Sequence, residues 1–121
     1  MANEITLNFR MSVSNGYLVA KEEPGTLYAT MTGKTSTGGA QTIATNATSI
    51  NMGSVSTAGY AYFRNVSTAN YIEIGTGTGT SFAAFSRLDY GDAQIVKLGT
   101  SAPTAKANTA AGTLYYQIFS L

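Results

Sequence analysis

Carboxylates are the main side chains of this sequence that could serve acid–base chemistry or hold a hard metal ion. The chain contains no histidine and no cysteine, which removes the commonest general base, the commonest metal ligand and the thiolate nucleophile. Six carboxylates remain: Glu4, Glu22, Glu23, Glu73, Asp89 and Asp92. Asp89 and Asp92 are close enough in sequence to act as an acid–base pair or to help bind calcium. Aspartate is also typical of turns, where it bonds its own backbone, and we favour that simpler interpretation.

Two glycine-rich stretches invite comparison with phosphate-binding loops, and both lack a required residue. The run Gly75-Thr-Gly-Thr-Gly79 has Thr80 where a dinucleotide-binding loop needs its third glycine. Lys34-Thr35 follows a glycine, but Tyr28 occupies the position of the first P-loop glycine. We therefore expect no enzymatic activity, no cofactor and no metal.

Charge is scarce and scattered along this chain. Charged residues make up 11% of the 121 residues, against roughly 25% in an average soluble domain. The seven basic residues stand singly: Arg10, Lys21, Lys34, Arg64, Arg87, Lys97 and Lys106. No run of them could neutralise several phosphates in a row, so we expect no nucleic-acid partner. A surface with few charges is cheaper to desolvate when another protein covers it, which hints at a part in an assembly.

Targeting signals are not evident in the sequence. Met1-Ala2-Asn3-Glu4 lacks the basic stretch and apolar run of a signal peptide, and no segment has the apolar length needed to span a bilayer. We therefore expect no membrane partner, and folding and assembly in a cytoplasm.

The N-terminal quarter alternates apolar and polar residues. Over Ile5 to Val13 this alternation predicts a strand with one buried face. Asn15-Gly16 is the strongest short hairpin signal, and a two-residue turn there would pair Val13 with Leu18. The same register sets Arg10 opposite Lys21, a mild repulsion that Glu22 or Glu23 could offset. Pro24-Gly25 predicts a second turn, followed by another strand over Thr26 to Thr32.

A second hairpin is predicted in the middle of the chain. Its strands are Gly59 to Val66 and Tyr71 to Ile74, joined by a turn over Ser67 to Asn70. A four-residue loop would set Arg64 opposite Glu73 on one face and Phe63 opposite Ile74 on the other.

Further strands complete an all-β pattern. Weaker or clearer strands are predicted over Gln41 to Thr45, Ala47 to Asn51, Phe82 to Leu88, Gln94 to Leu98 and Thr113 to Leu121, with loops over 33–39 and 99–112. Phe82 to Leu88 also fits a helical turn, but its shortness favours a strand. The closing strand is apolar on both faces, which suits a central strand or an edge that a partner covers. We predict a single-domain antiparallel β-sandwich over 1–121, jelly-roll-like, with about 8–10 short strands.

Tyrosine is the dominant aromatic residue, with eight copies against five phenylalanines and no tryptophan. Tyrosine offers a large apolar area with a polar tip, and it is enriched where one side of a contact stays wet. Strand propensity alone also explains it, since tyrosine suits a half-buried pleated surface. Both explanations stay open at this point.

The second half of the chain resembles a group of small virion proteins of tailed bacteriophages. The resemblance lies in an aromatic-Arg-Asn strand over 51–65, in Asn70-Tyr-Ile-Glu-Ile-Gly75, in Leu88-Asp-Tyr-Gly-Asp92 and in 105–110 leading into Leu114-Tyr-Tyr. The first half is similar only in style. The shared motifs are structural, and the resemblance supplies no functional residue to carry over.

That resemblance implies a capsid cement or decoration protein. Such a protein would bind the major capsid protein on the head exterior as a homo-oligomer, a homotrimer in preference to a homodimer, and clamp neighbouring capsomers. The alternatives are another virion part (a neck, tail or fibre module) or a carbohydrate-binding β-sandwich. The interface that we predict from the sequence is one face of the second hairpin together with the closing strand. Its residues are Tyr62, Arg64, Tyr71, Glu73, Tyr115, Tyr116 and Phe119.

Overall fold

The computed structural model describes residues 3–99 and 102–121, whose regular secondary structure is antiparallel strand apart from one short 3₁₀ turn. The chain divides into two compact units, Met1–Thr32 and Gly33–Leu121, each of which is described by itself. The strands are β1 Ile5–Asn15, β2 Leu18–Ala29, β3 Ser36–Ile43, β4 Thr48–Ser49, β5 Ala58–Asn65, β6 Ile72–Thr76, β7 Ala83–Leu88, β8 Ala93–Lys97, β9 Thr104–Ala107 and β10 Gly112–Ser120. One 3₁₀ turn, Gly79–Ser81, precedes β7. That the chain forms a single domain stays a prediction.

The first unit is the predicted hairpin, but with a different register. Asn15 pairs with Leu18, so the two turn residues are Gly16 and Tyr17 rather than Asn15 and Gly16. Gly16 has φ +59°, which suits the first central position of a type II′ turn. The pairings between the turn and Met11 therefore move by two residues, so that Val13 lies opposite Ala20 instead of Leu18, and those from Phe9 to Ile5 move by three.

Pro24 and Gly25 lie inside β2 and do not form the predicted second turn. The pairing runs from Phe9–Gly25 to Met11–Glu22, so two residues of β2 lie opposite the single residue Arg10. This is a bulge, the place in a ladder where a proline without an N–H is tolerated. The predicted separate strand over 26–32 is thus the end of β2, which stops at Ala29.

The second unit is a sandwich of two four-stranded antiparallel sheets. The first four strands pair in nested order with the last four: β3 with β10, β4 with β9, β5 with β8 and β6 with β7. Further pairing of β10 with β5 and of β9 with β6 joins these ribbons into the sheets β3-β10-β5-β8 and β4-β9-β6-β7. This is the strand order of a jelly roll, which confirms the predicted fold class.

The core lies between the two sheets and follows the period of two. Along β10 buried and less buried residues alternate without a break, as the pleat requires. The inward side chains are mainly aliphatic, with one phenylalanine and one tyrosine. They are Ile43, Ile50, Val55, Ala58, Ala61, Phe63, Ile72, Ile74, Leu88, Ala105, Ala107, Leu114, Tyr116 and Ile118.

The predicted pairing of β5 with β6 is wrong. The two strands belong to different sheets, so Arg64 lies beside Tyr115 and Ala93, and not opposite Glu73. Phe63 and Ile74 are both fully buried, one in each sheet. Alternation has the same period whether two strands pair edge to edge or face each other across a core, so it does not distinguish the two arrangements.

Other strand predictions fare better. β10 is a central strand between β3 and β5, which is the first of the two placements left open by its two apolar faces, and Ala83–Leu88 is a strand rather than a helical turn. β9 was missed because Thr104–Ala107 lies in a segment rich in alanine, threonine and asparagine, which predicted a loop.

Candidate functional site

The outer surface of the sheet β3-β10-β5-β8 carries a group of exposed and half-buried aromatic side chains. We call it the aromatic face. Its members come from three adjacent strands and project away from the core because the inward positions of each strand alternate with them. They are Tyr60, Tyr62 and Arg64 of β5, Ile95 and Lys97 of β8, and Tyr115, Gln117 and Phe119 of β10.

Contacts between its side chains order the middle of the aromatic face. The rings of Tyr62 and Tyr115 meet edge to face, with centroids 6.1 Å apart and an interplanar angle of 70°. Gln117 Nε2 donates a hydrogen bond of 3.2 Å to the Tyr115 hydroxyl. The Gln117 amide lies over Gly38 of β3, where a Cβ would come within 2.4 Å of it. A glycine at position 38 is therefore needed for this arrangement.

The electrostatic character of the aromatic face is cationic. Its two ionisable cations are Arg64 and Lys97, and strands β3, β5, β8 and β10 contain no aspartate or glutamate. The Lys97 ammonium lies 5.6 Å from the centroid of the Tyr60 ring, within cation–π range. The face is thus apolar and aromatic, with two basic side chains and no internal acid to neutralise them.

The outer surface of the other sheet is different in kind, and we call it the charged face. Glu73 of β6 lies between Arg87 of β7 and Lys106 of β9, so charges alternate across three strands. The Arg87 guanidinium lies 3.8 Å from the centroid of the Tyr71 ring, and its Nε is 3.0 Å from Asp89 Oδ1. On this face Arg87 thus has a ring and a carboxylate as partners, and Glu73 lies between two basic residues.

The residues predicted as an interface fall in three places. Four lie together on the aromatic face: Tyr62, Arg64, Tyr115 and Phe119. Tyr71 and Glu73 belong to the charged face, so the prediction that they share a face with Tyr62 and Arg64 is wrong. Tyr116 is 4% exposed and points into the core, with its hydroxyl donating to the Asn51 carbonyl at 2.9 Å. The alternation along β10 explains why Tyr115 and Tyr116 diverge.

Asp89 and Asp92 form a turn, as favoured from the sequence. The Asp89 N–H donates to Asp92 Oδ2 at 3.0 Å, and the Asp92 N–H donates to the Asp89 carbonyl at 2.9 Å. Gly91 supplies the positive φ of +87°. Within the described part of the chain, no three acidic, histidine or cysteine side chains cluster as a metal site.

Asn65 is a structural residue whose role the sequence did not reveal. It is fully buried at the end of β5. Its Nδ2 donates to the carbonyls of Asn70 at 2.8 Å and Leu88 at 2.9 Å, and its Oδ1 accepts from the N–H and hydroxyl of Ser67. One side chain thereby ties the crossing between the sheets to the end of β7. The signal available in the sequence was its position, two residues after Phe63, on the inward side of an alternating strand.

The hairpin of the first unit carries a second apolar surface that sequence analysis placed in a core. Ile5, Leu7 and Ala29 are half-buried, and the other residues of both strands are exposed, so the predicted buried face of β1 is wrong. We call the apolar side of this hairpin the hairpin face. It consists of Ile5, Leu7, Phe9, Met11, Val13, Leu18, Ala20, Leu27 and Ala29, with Gly25 and one charge, Glu22.

Two open clefts are lined by residues of the sandwich that the structure describes. One, of about 490 Å³, is lined by Ala69, Tyr71, Arg87, Asp89 and Tyr90 beside the charged face. The other, of about 410 Å³, is mostly apolar and lies between residues of the two sheets, including Thr76, Phe85, Val96 and Leu98. Neither brings a pair of carboxylates together.

Comparison with protein-family models, with curated proteins and with solved structures finds no match to this chain. Within residues 3–99 and 102–121 there is no helix with the length and hydropathy of a membrane-spanning segment.

Proposed function

We propose that this chain is a structural protein of a bacteriophage particle, a cement protein that binds the head exterior as a homo-oligomer and clamps neighbouring capsomers. The observation that carries the proposal is the aromatic face, on which one exposed and two half-buried tyrosines, an exposed phenylalanine and an exposed isoleucine lie beside two cations, with no acid in the strands of that sheet. The sequence resemblance to small virion proteins of tailed phages supports the same assignment.

The chemistry of the aromatic face suits adhesion to another protein. Tyrosine buries a large area with little loss of side-chain entropy and keeps its hydroxyl available for water or a partner. Tyr115 and Phe119 are each 37% exposed and Ile95 is 39% exposed, so their apolar area is available to a partner. The cations Arg64 and Lys97 favour a partner surface with acidic groups, here the major capsid protein.

Repeated weak contacts would make such a clamp strong. Once one subunit of a homo-oligomer is docked, the others bind at high effective concentration, so a modest contact per subunit becomes a stable attachment. A low charge density keeps the desolvation cost of each contact small.

Binding to undecorated capsids tests this proposal. Replacing Tyr115 by Asp adds a charge at the centre of the aromatic face and should weaken capsid binding about tenfold or more, as loss of a central tyrosine does at other interfaces. Tyr90→Asp is the matched control, since Tyr90 is 63% exposed and lies on the turn beside the charged face. Purified protein and capsids are mixed and the bound fraction is measured by sedimentation.

Absence of wild-type binding, with no gain in particle stability, would contradict a role on the capsid. Equal losses from Tyr115→Asp and Tyr90→Asp would show that the aromatic face is not the contact. Abundance in purified particles separates a cement protein, which approaches the major capsid protein in copy number, from a neck, tail or fibre part, which is rare.

Glycan binding is the second candidate function, and the cleft beside the charged face favours it. Tyr71 and Tyr90 line this cleft together with Arg87 and Asp89, a combination of aromatic rings and hydrogen-bonding groups that suits a sugar. The guanidinium of Arg87 already covers one face of Tyr71, which leaves Tyr90 as the stacking platform. A glycan array with wild-type protein and Tyr90→Ala tests it, and an array without signal removes it.

A further inference from the structure

The hairpin face is too apolar and too exposed to remain uncovered in water. Met11 is 61% exposed, Leu18 59% and Phe9 36%, all on the same side of a two-stranded sheet. A two-stranded hairpin on its own is marginally stable at best, and it becomes stable when its apolar side packs on a further layer. The opposite side is mostly polar, with Arg10 and Lys21 both within ion-pair distance of Glu23 at 3.3 and 3.4 Å.

The shape of the hairpin face is uneven across its two strands. β1 contributes large side chains at every inward position, whereas β2 contributes small ones opposite three of them. Ile5 pairs with Ala29, Phe9 with Gly25 and Val13 with Ala20. A Cβ placed at Gly25 would meet nothing within 4 Å, so the space beside it is open. The face therefore has a ridge along β1, and along β2 a trough at Ala29, Gly25 and Ala20 that Leu27 and Glu22 interrupt.

We infer that the hairpin face is the self-association surface of this protein, covered by the hairpin faces of other copies. The inference deepens the proposed function, on whose homo-oligomer it rests. Rotation about an axis parallel to the strands keeps every residue at its own level along that axis. It places the β1 ridge of one copy on the β2 trough of the next, so that Phe9 meets Gly25 and Val13 meets Ala20.

The same register serves a pair or a ring of three, because both are rotations about one axis. A face that carries its own complementary ridge and trough at matching levels fits a second copy without any other partner. A rotation axis perpendicular to the strands would instead set ridge on ridge and leave the troughs empty.

The area available is sufficient for a stable contact. A strand of 11 residues is about 36 Å long at the usual rise per residue. Covering the inward side chains of both strands buries on the order of 600 Å² per copy, about 1,200 Å² for a pair, which lies at the lower end of stable protein interfaces.

Chemical cross-linking between copies tests the register. The chain has no cysteine, so each introduced cysteine is the only thiol that can react. Copies carrying Val13→Cys and tagged copies carrying Ala20→Cys are mixed and treated with a short bifunctional maleimide. A spacer is used because packed sheets lie about 10 Å apart, too far for a direct disulfide. The control mixture carries Ser14→Cys and Val19→Cys, a cross-strand pair on the opposite side of the same hairpin.

We expect about tenfold more mixed cross-linked product from the Val13 and Ala20 variants than from the control, because association raises the effective concentration only on the hairpin face. Equal yields from the two mixtures would overturn the inference.

Solution mass provides an independent readout on the full chain. The wild type should sediment at two or three times 12.6 kDa, Phe9→Asp at 12.6 kDa, and the control Tyr28→Asp, on the opposite side of the hairpin, like the wild type. A wild-type mass of 12.6 kDa at about 0.1 mM overturns the inference, because any self-association would then be too weak to hold an oligomer together. In that event capsid binding that still depends on Tyr115 leaves the proposed function standing. An oligomer that forms but does not bind capsids supports the inference and contradicts the proposed function.

Discussion

β1 of the hairpin and β5 of the sandwich show the same alternation in sequence and opposite burial in the structure. In β5 every second residue is buried, with Phe63 at 0% exposure. In β1 the residues of the apolar side are half-buried at best, and Met11 is 61% exposed. Alternation therefore tells which side of a strand is apolar, whereas burial requires a second layer. β5 obtains that layer from the facing sheet, and the hairpin unit contains none of its own.

Truncating an inward side chain in each strand should give the largest contrast. Phe63→Ala leaves a cavity in the core and should lower the free energy of unfolding by about 3–5 kcal/mol. In the dilute monomer Met11→Ala removes a side chain from a position that is 61% exposed and should change the unfolding of the sandwich by less than about 0.5 kcal/mol. Denaturant unfolding at a protein concentration too low for association, followed by tyrosine fluorescence, measures both. Similar losses for the two variants in the monomer would mean that β1 is buried within one chain like β5.

Asn65→Ala tests whether loss of a buried, hydrogen-bonded polar side chain lowers the free energy of unfolding as loss of a buried apolar one does. Asn65→Ala leaves the carbonyls of Asn70 and Leu88 without their donor and should cost about 2–3 kcal/mol of unfolding free energy. The exposed Asn46 provides the control, because a hydroxyl residue follows two positions later, as it does after Asn65. Asn46→Ala should be nearly neutral. A thermal melt that shows equal midpoints for the two variants contradicts the role assigned to Asn65.

The two outer faces of the sandwich differ in how they respond to a reversed charge. Glu73→Lys would place three cations in a row with Arg87 and Lys106 and should cost about 1 kcal/mol. Arg64→Glu on the aromatic face has Tyr115 and Ala93 as neighbours and should change stability by less than about 0.5 kcal/mol. Urea unfolding of both variants decides the matter. A larger loss from Arg64→Glu would restore the pairing of Arg64 with Glu73.

The fold class could be predicted from the sequence because strand existence depends on local pattern. The period of two, the turn residues and the doubly apolar β10 all act within a few residues, and they identified most strands of a jelly roll. β9 escaped because Thr104–Ala107 has small residues whose burial depends on its neighbours β4 and β6.

Pairing and burial could not be predicted because they depend on distant parts of the chain. Nothing local to Arg64 indicates that its neighbour is Tyr115 of the last strand. The candidate interface failed for the same reason, since Tyr62 and Tyr71 are close in sequence and lie in opposite layers. The tyrosines that do meet, Tyr62 and Tyr115, are 53 positions apart, which is visible only in the fold.

The position of β10 has a consequence for synthesis on the ribosome. β10 leaves the exit tunnel after the other nine described strands, and it lies inside its sheet, between β3 and β5. Until it emerges, β3 has no partner in that sheet and β5 has β8 alone, so half-made chains expose open strand edges. Such non-local closure is slow, and we expect nascent chains of this protein to depend on protection from aggregation until translation reaches Ser120.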